Sequence, residues 1–403
     1  MQHAVGPPAQ RTQRFGTIQV EAGFARNSAH LDSFRQQRGS TMGDVAKTDD
    51  QQAFHAAILR TMHTVTLSPG GQAFQVEDGE SVLTAALRSG LVIPYGCKNG
   101  ACGSCKGKIV SGSIDYGTYQ EKALPAAERE QGKALFCQAK PLTDCVLEAR
   151  LVGKAGDIPI KTLPCRIHSM QKLTDDVIVL KLKLPASERL QFLAGQYLEF
   201  LLRDGTRRSF SMGNAPHDDE LVEVHVRHVP GGQFTDHVFG KMKEKDILRF
   251  EAPLGTFFLR EESEKPIVFV ASGTGFAPIK SIIEYAMEKK IVRPMTLYWG
   301  GRRPRDLYMH ELAQKWAGEF GAFFAYVPVI SEAASEDNWQ GRTGFVHRAV
   351  MEDFPDLSGF QVYACGVPIM VDSARSDFIA HCKLPEDEFY ADSFTTAADL
   401  AKT

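Results

Sequence analysis

No stretch of this chain approaches the ~18 uninterrupted apolar residues that a membrane-spanning helix needs. The N-terminus also lacks the apolar core of a secretory signal, so the cytoplasm is the expected compartment. Charge excess is missing too. The chain carries 46 Lys and Arg against 49 Asp and Glu, a net −3, which gives nucleic acid no basic surface to grip. Cysteine is sparse, eight in 403 residues, so no disulfide scaffold is implied. Cys145, Cys165 and Cys382 read as small buried side chains. The G-x-G-x-x-G dinucleotide fingerprint is absent, and no internal repeat runs through the chain. What remains is an ordinary soluble composition of roughly two to four domains.

The most informative stretch present is Pro94-Tyr-Gly-Cys-Lys-Asn-Gly-Ala-Cys-Gly-Ser-Cys105. It sets Cys97, Cys102 and Cys105 in a C-x4-C-x2-C pattern, and Cys137 follows at the start of a new apolar run. That is the plant-type spacing for a [2Fe–2S] cluster held by four thiolates. Small residues between the ligands (Gly96, Gly100, Ala101, Gly103, Ser104) let backbone N–H groups approach the sulfurs. A structural zinc site is the alternative, but such sites pair two short knuckles, and here one C-x2-C exists.

Residues 1–61 are rich in Gln, Arg, Ser and Ala and keep no period of 2 or 3.6. They read as a disordered extension, or as an upstream start assigned in error with Met62, or second to it Met42, as the true start. Residues 62–152 read as a compact α+β, β-grasp-like unit. It has a hairpin around Pro69-Gly70-Gly71, a helix from Ser81 to Ser89 closed by Gly90, and the cysteine loop at an edge near solvent. Residues 153–161 are a polar linker. Residues 162–260 carry short strands separated by turns, as an antiparallel β-barrel does, with one helix over Phe234–Met242. Residues 261–403 alternate buried strands with helices, which predicts an α/β parallel sheet.

Two further regions carry chemistry. In Arg207-Arg-Ser-Phe-Ser211, Arg208 offers a donor fork for a pyrophosphate and Phe210 a flat face for a ring system. Gly231 and Gly232 permit close backbone approach, and Thr235 opens a helix whose N–H groups favour phosphate. Taken alone, this is also what a solvated basic strand followed by a glycine turn looks like. Val270-Ala-Ser-Gly-Thr-Gly-Phe-Ala-Pro-Ile-Lys280 places glycines between a buried strand and a helix, with Pro278 preset for an early helical position. Tyr363-Ala-Cys-Gly-Val-Pro-Ile-Met-Val371 ends another strand in Cys365-Gly366. Ligands of open parallel sheets bind beyond the carboxyl ends of the strands, so both loops can meet one cofactor.

Together these pieces resemble the ferredoxin–NADP reductase superfamily with a fused N-terminal [2Fe–2S] ferredoxin domain. The likeness is to reductase components of bacterial multicomponent oxygenases and to CDP-6-deoxy-glucoseen reductases, and it covers residues 62–403. It implies an FAD barrel in which Arg208, Phe210 and Ser211 hold the flavin and its phosphates, with Gly232 and Thr235 at the pyrophosphate. The family's R-x-Y-S motif carries tyrosine where this chain has Phe210, which keeps stacking and loses a phenolic hydrogen bond. It further implies that Gly273, Thr274, Gly275 and Pro278 take NADH or NADPH phosphates, that Cys365 and Gly366 lie near the nicotinamide, and that a late aromatic covers the flavin. Phe394 is the first choice for that cover and Tyr390 the second.

The function implied is an electron relay from NAD(P)H through FAD to the cluster and on to an acceptor protein, either an oxygenase or hydroxylase component or a nucleotide-sugar dehydrase. Stretch His225-Val-Arg-His-Val-Pro-Gly-Gly232 looks more like the sugar-dehydrase reductases. Arg302, Arg303 and Arg305 are candidates for a 2′-phosphate, although the resemblance leans to NADH. Lys98, Lys106 and Lys108 flank the ligands and either steer an acidic partner or are routine surface lysines. Two rival readings stand beside the relay. A free-flavin reductase would keep full activity toward free flavin after loss of Cys102. A non-catalytic redox-sensing binding protein would show no NAD(P)H-dependent dye reduction.

Overall fold

The computed structural model describes residues 62–153 and 158–395. The expectations for residues 1–61, and part of the linker 153–161, lie outside the described residues.

The first unit contains strands β1 (Met62–Ser68), β2 (Ala73–Glu77), β3 (Lys106–Ser111), β4 (Ile114–Asp115), β5 (Lys133–Leu135), β6 (Lys140–Pro141) and β7 (Cys145–Glu148). Five of them form a mixed sheet in the order β2-β1-β7-β3-β5, and β4 pairs with β6. Alternation in β1 turns Val65 and Leu67 fully inward. Helix Val82–Arg88 covers the sheet. Ser81 Oγ accepts from the Thr84 N–H at 3.2 Å to cap its start, and Gly90 at φ 74° supplies the left-handed residue past its end. The β-grasp expectation describes this arrangement.

Strands β8 (Lys161–Lys172), β9 (Val177–Lys183), β10 (Tyr197–Leu201), β11 (Arg207–Ser211), β12 (Val222–Arg227) and β13 (Ile247–Leu254) form an antiparallel sheet in the order β11-β10-β13-β8-β9-β12. Its two edges meet. Met212 bridges Val224, and the Gly213 N–H donates to the Glu223 carbonyl at 2.7 Å, so the sheet curls back on itself. Helix Gln233–Gly240 plugs one end through Phe234 and Val238. The long strand β8 was not anticipated. Its inward Leu163, Cys165 and Ile167 are separated by Pro164 and Arg166, a sparse alternation in a strand that begins at the last linker residue.

The third unit holds β14 (Ile267–Ser272), β15 (Met295–Gly301), β16 (Phe324–Ile330), β17 (Arg342–Thr343), β18 (Gln361–Gly366) and β19 (Phe389–Ser393), all parallel, in the order β17-β16-β15-β14-β18-β19. Strand β14 is apolar without alternation because helices cover both its faces. Phe269 packs with Ile279 and Trp299 on one side, and Val268 and Val270 with Val350 and Val371 on the other. Strand order reverses at β14/β18, so the switch-point crevice opens at the carboxyl ends of those two strands. The helices Val346–Asp353 and Pro368–His381, and the edge strands β17 and β19, escaped the sequence reading. No helix among the described residues is long and apolar enough to cross a membrane.

Candidate functional site

The cysteine loop brings its four thiols together in two pairs. Cys97 hydrogen-bonds Cys102, and Cys105 hydrogen-bonds Cys137. Among the described residues no three His, Cys, Asp or Glu side chains converge as one metal ion would require. Two pairs of thiolates match two irons better than one zinc. Within each pair the shared hydrogen bond lowers one thiol, Cys102 to about 5 and Cys137 below its ordinary value, and raises its partner, Cys97 or Cys105. Backbone N–H groups act in the lowering direction, those of Asn99 and Ala101 at Cys97 and that of Gly100 at Cys137. Each pair thus favours one negative sulfur, with backbone N–H groups aimed at the loop's thiols. Gly100 has φ 77°, and a Cβ there would meet the Thr118 carbonyl at 2.8 Å, so the loop can close over the ligands only without a side chain.

The loop does not stand at a free edge, as the sequence suggested. Tyr197 Oη donates to the Gly96 carbonyl at 2.9 Å, and Tyr95 N–H donates to Thr256 Oγ1 at 2.9 Å. Lys98, at φ 59°, reaches Glu199 at 2.9 Å. The barrel therefore covers one side of the loop, and Cys102, Cys105 and Cys137 are buried. Lys98 and Lys106 are both engaged, with Glu199 and Glu128, which leaves Lys108 as the exposed lysine of the three.

On β11, residues Arg208 and Phe210 share one face and Ser211 takes the other. The Phe210 ring lies 5.3 Å from Phe234 and 5.8 Å from Phe200, half-buried at the barrel surface. Arg208 donates to the Arg207 carbonyl at 2.8 Å, which uses one of its five donors. Gly232 is the N-cap of helix Gln233–Gly240 and supplies no side-chain cap, so the first-turn N–H groups are available to an anion. Thr235 Oγ1 is turned back to the Val229 carbonyl at 2.9 Å and shapes this turn. A flat ring face, a guanidinium and an uncapped helix start on neighbouring elements fit a flavin with its pyrophosphate.

The nucleotide turn lies at the switch point. Gly273–Gly275 is a single 3-10 turn leading into helix Phe276–Glu288, with Pro278 in its first turn. A Cβ on Gly275 would collide with the Cys365 carbonyl, and one on Gly366 with Ser272. The two turns predicted to share a ligand are therefore in contact. Cys365 is fully buried, and burial pushes its thiol well above the ordinary range, so it stays neutral. One residue the sequence reading passed over is Arg227 at the end of β12. Its Nε and Nη2 are buried without hydrogen-bond partners, although an Asp176 carboxylate stands 3.4 Å from Nε. The guanidinium carbon would lie 3.4 Å from a Cβ on Gly273. Open donors beside that turn fit a phosphate of the incoming nucleotide.

Strand β19 ties the regions together. Ser104 Oγ in the cysteine loop donates to the Ala391 carbonyl at 3.4 Å. Ser211 Oγ donates to Asp392 at 3.2 Å, and Phe394 N–H donates to the Gly366 carbonyl at 2.8 Å. Asp392 was also missed; burial, then the nearby Cys102, raises its carboxyl to about 7. Tyr390 is occupied elsewhere, stacked on Tyr363 at 4.8 Å and under Arg260.

Family models match along most of this architecture: a 2Fe-2S iron-sulfur cluster binding domain over residues 65–142, an oxidoreductase FAD-binding domain over 164–259, and an oxidoreductase NAD-binding domain over 269–376. The chain is 41% identical to a CDP-6-deoxy-L-threo-D-glycero-4-hexulose-3-dehydrase reductase of Yersinia pestis, across 82% of this chain and 98% of that protein. It is 35% identical to the reductase component DmpP of a phenol 2-monooxygenase from Pseudomonas, across 84% and 96%. The crystal structure of the Amycolatopsis cytochrome P450 reductase GcoB superposes with a TM-score of 0.67 at 33% identity, over 83% of this chain and 99% of that one. FAD, when bound, takes the two electrons of a hydride and passes them on singly, as a one-electron cluster requires. With three cofactor-binding domains in this order, the chain belongs to the ferredoxin–NADP reductase superfamily, as an NAD(P)H-dependent iron–sulfur flavoprotein reductase that passes electrons from NAD(P)H through FAD to a [2Fe–2S] cluster.

Proposed function

We propose that this reductase serves a separate one-electron acceptor protein and that the electrons cross the region around residues 391–394. The observation that carries this reading is that Ala391, Asp392 and Phe394 touch the cysteine loop, the flavin motif and the Cys365-Gly366 turn in succession. Cys97, Cys102, Cys105 and Cys137 hold the cluster. Arg208, Phe210, Ser211, Gly232 and Thr235 hold the flavin. Gly273, Thr274, Gly275, Pro278 and Gly366 seat the nucleotide, with Arg227 on its phosphates. Cys365 and Phe394 line the place where nicotinamide and flavin meet. Hydride transfer itself asks for no acid or base from the chain, which suits a neutral, buried Cys365.

NADH is the preferred donor. Of the three candidate arginines, Arg303 spends its fork on Asp337, at 2.7 and 2.9 Å, and on Glu336 at 2.8 Å. A 2′-phosphate at that residue would have to displace two carboxylates, whereas the Arg302 side chain has, among the described residues, only Asp306 at 3.7 Å. A kcat/KM higher for NADPH than for NADH would overturn this. For the acceptor, a deoxysugar dehydrase comes first, because identity to the dehydrase reductase is 41%. An oxygenase component comes second, on 33–35% identity to such reductases. Purified reductase with NADH and each acceptor class, followed by oxidation of the cluster's visible absorption, decides between them. Failure of the wild-type reductase to turn over either acceptor, with reduction of free flavin undiminished in a Cys102→Ser variant, would sink the reading.

A further inference from the structure

We propose that Lys280 is a positioning residue for hydride transfer, bolting the helix behind the nucleotide turn onto the flavin barrel through Glu223, His225 and Tyr308. Lys280 stands in the second turn of helix Phe276–Glu288, which starts where Gly273–Gly275 ends. Its Nζ lies 3.1 Å from Glu223 Oε1 and 2.9 Å from Glu284 Oε2, and it donates to the Gly213 carbonyl at 3.1 Å. All three ammonium donors thus have acceptors, two of them on the barrel. The next residue, Ser281, donates to the barrel's Asn214 carbonyl at 2.7 Å.

The contact continues from the barrel back to the turn. His225 Nε2 is 2.9 Å from Glu223 Oε1, and its Nδ1 is 2.7 Å from Tyr308 Oη in the nucleotide unit. Tyr308 stands edge-on to Trp299 at 5.2 Å. Trp299 Nε1 donates to the Gly273 carbonyl at 3.2 Å. The turn is therefore tied to strand β12 along two routes, one through its own helix and one through Tyr308 and Trp299.

A buried ion network is a costly way to hold two domains, since apolar side chains of the same volume would hold them as well or better. What charges add is register. An ammonium with three fixed acceptors has one position, whereas an apolar contact can slide. Hydride transfer rewards such definition, because reacting atoms must sit ~3–3.5 Å apart and a misplacement of ~1 Å can cost about 100-fold.

The proposal rests on reading Gly273–Gly275 as the nucleotide turn, and amide exchange separates the two. In the wild-type holoenzyme, added NAD+ should slow exchange of the amides of residues 273–277; no change would sink the turn reading alone. In Lys280→Met without nucleotide, those amides should exchange faster. Flavin reduction by NADH in a single turnover should fall about 10- to 100-fold, with the Kd for NAD+ changed less than about threefold. Lys280→Arg should restore most of the rate. Tyr308→Phe removes one hydroxyl and should cost a few-fold, which keeps the test decisive if Lys280→Met fails to fold. Unchanged flavin reduction in Tyr308→Phe and in any folded Lys280→Met, or a rate loss matched by an equal loss of nucleotide affinity, would overturn the proposal.

Discussion

The barrel is gripped from both sides by a lysine that reaches one of its glutamates, and the two grips are built differently. On the cluster side, Lys98 pairs with Glu199 on β10 at 2.9 Å, with 27% of the lysine side chain exposed. Glu199 has other company there, Arg207 at 3.2 Å and Ser209 at 3.2 Å. On the nucleotide side, Lys280 is 9% exposed, and its loss would leave Glu223 in the interior with His225 and a distant Lys181 at 3.7 Å. The first contact joins a partly exposed lysine to a buried glutamate that has a spare partner. The second is a desolvated network in which each member depends on the others. The difference separates a joint that can tolerate adjustment, where an acceptor protein must reach the cluster, from one that fixes donor against flavin.

The sharpest way to test whether the two sides are separable is to remove the cluster and keep the rest. Cys102→Ser should abolish the cluster's EPR signal in the reduced protein and cut reduction of an acceptor protein by more than about 100-fold. NADH-driven reduction of a two-electron dye should survive through the flavin. Loss of both activities in a folded, FAD-replete variant would mean the two junctions are not independent.

Stability should then distinguish the grips. Breaking a buried pair by removing one member costs about 3–5 kcal/mol, because the remaining charge is uncompensated. Lys280→Met is expected in that range by denaturant unfolding. A loss under about 1 kcal/mol would place it in the class of surface pairs and erase the contrast.

How much of this was legible in the sequence follows from what one strand can say about its neighbours. The cysteine loop announces itself, because four cysteines at this spacing have few other uses, and the proposed nucleotide turn is marked by glycines that only close approach explains. The grips were hidden. Val222-Glu-Val-His-Val-Arg227 alternates apolar and polar residues and reads as a strand with one wet face. Yet Glu223 and His225 are 7% and 4% exposed, because the nucleotide unit covers that face. Glu199 was hidden for the same reason, with the cysteine loop as its cover. Period reports which side of a strand is polar, and the rest of the fold decides whether that side meets water. Asp392 and Arg227 were missed because each lies at a strand end, where no periodicity points to them.

Acidification should loosen the nucleotide-side grip. Burial lowers the His225 pKa from its ordinary 6.5, so the unfolded chain takes up this proton first and stability falls as pH drops below about 6.5. Burial alone would raise Glu223, but the His225 hydrogen bond and the Lys280 charge outweigh it and hold it well below 4.5. A second loss therefore begins near pH 4.5. Glu284, raised by burial, has the opposite sign and partly offsets that second phase. Lys280 is raised and titrates far above this window, and burial pushes Tyr308 upward as well. His310 and His347, lowered by burial, act in the same direction from pH 8 to 5, and Asp392, raised to about 7, acts against them. In thermal melts the decline in Tm should therefore become shallower in His225→Gln rather than vanish. An equal slope in the variant would assign the decline to other groups.

The smallest effect belongs to the cluster-side grip. In Lys98→Met, Glu199 keeps Arg207 and Ser209, and the loop keeps its bonds from Tyr197 to Gly96 and from Tyr95 to Thr256. An ion pair of this kind is worth about 0–1 kcal/mol. The unfolding free energy should therefore drop by less than about 1 kcal/mol. Transfer from flavin to cluster, read as bleaching of the cluster's visible absorption after a rapid mix with NADH, should slow by less than about threefold. Lys98 directly follows Cys97, a proposed cluster ligand, and holds a left-handed backbone at φ 59°, so a residual effect is expected through loop geometry rather than lost charge. Lys98→Asn, which accepts that conformation more readily than Met, should fall closer to wild type. A slowing beyond about tenfold in Lys98→Met would show that this half-buried lysine sets the cluster's position as firmly as Lys280 sets the nucleotide turn, and the asymmetry between the two sides of the barrel would be gone.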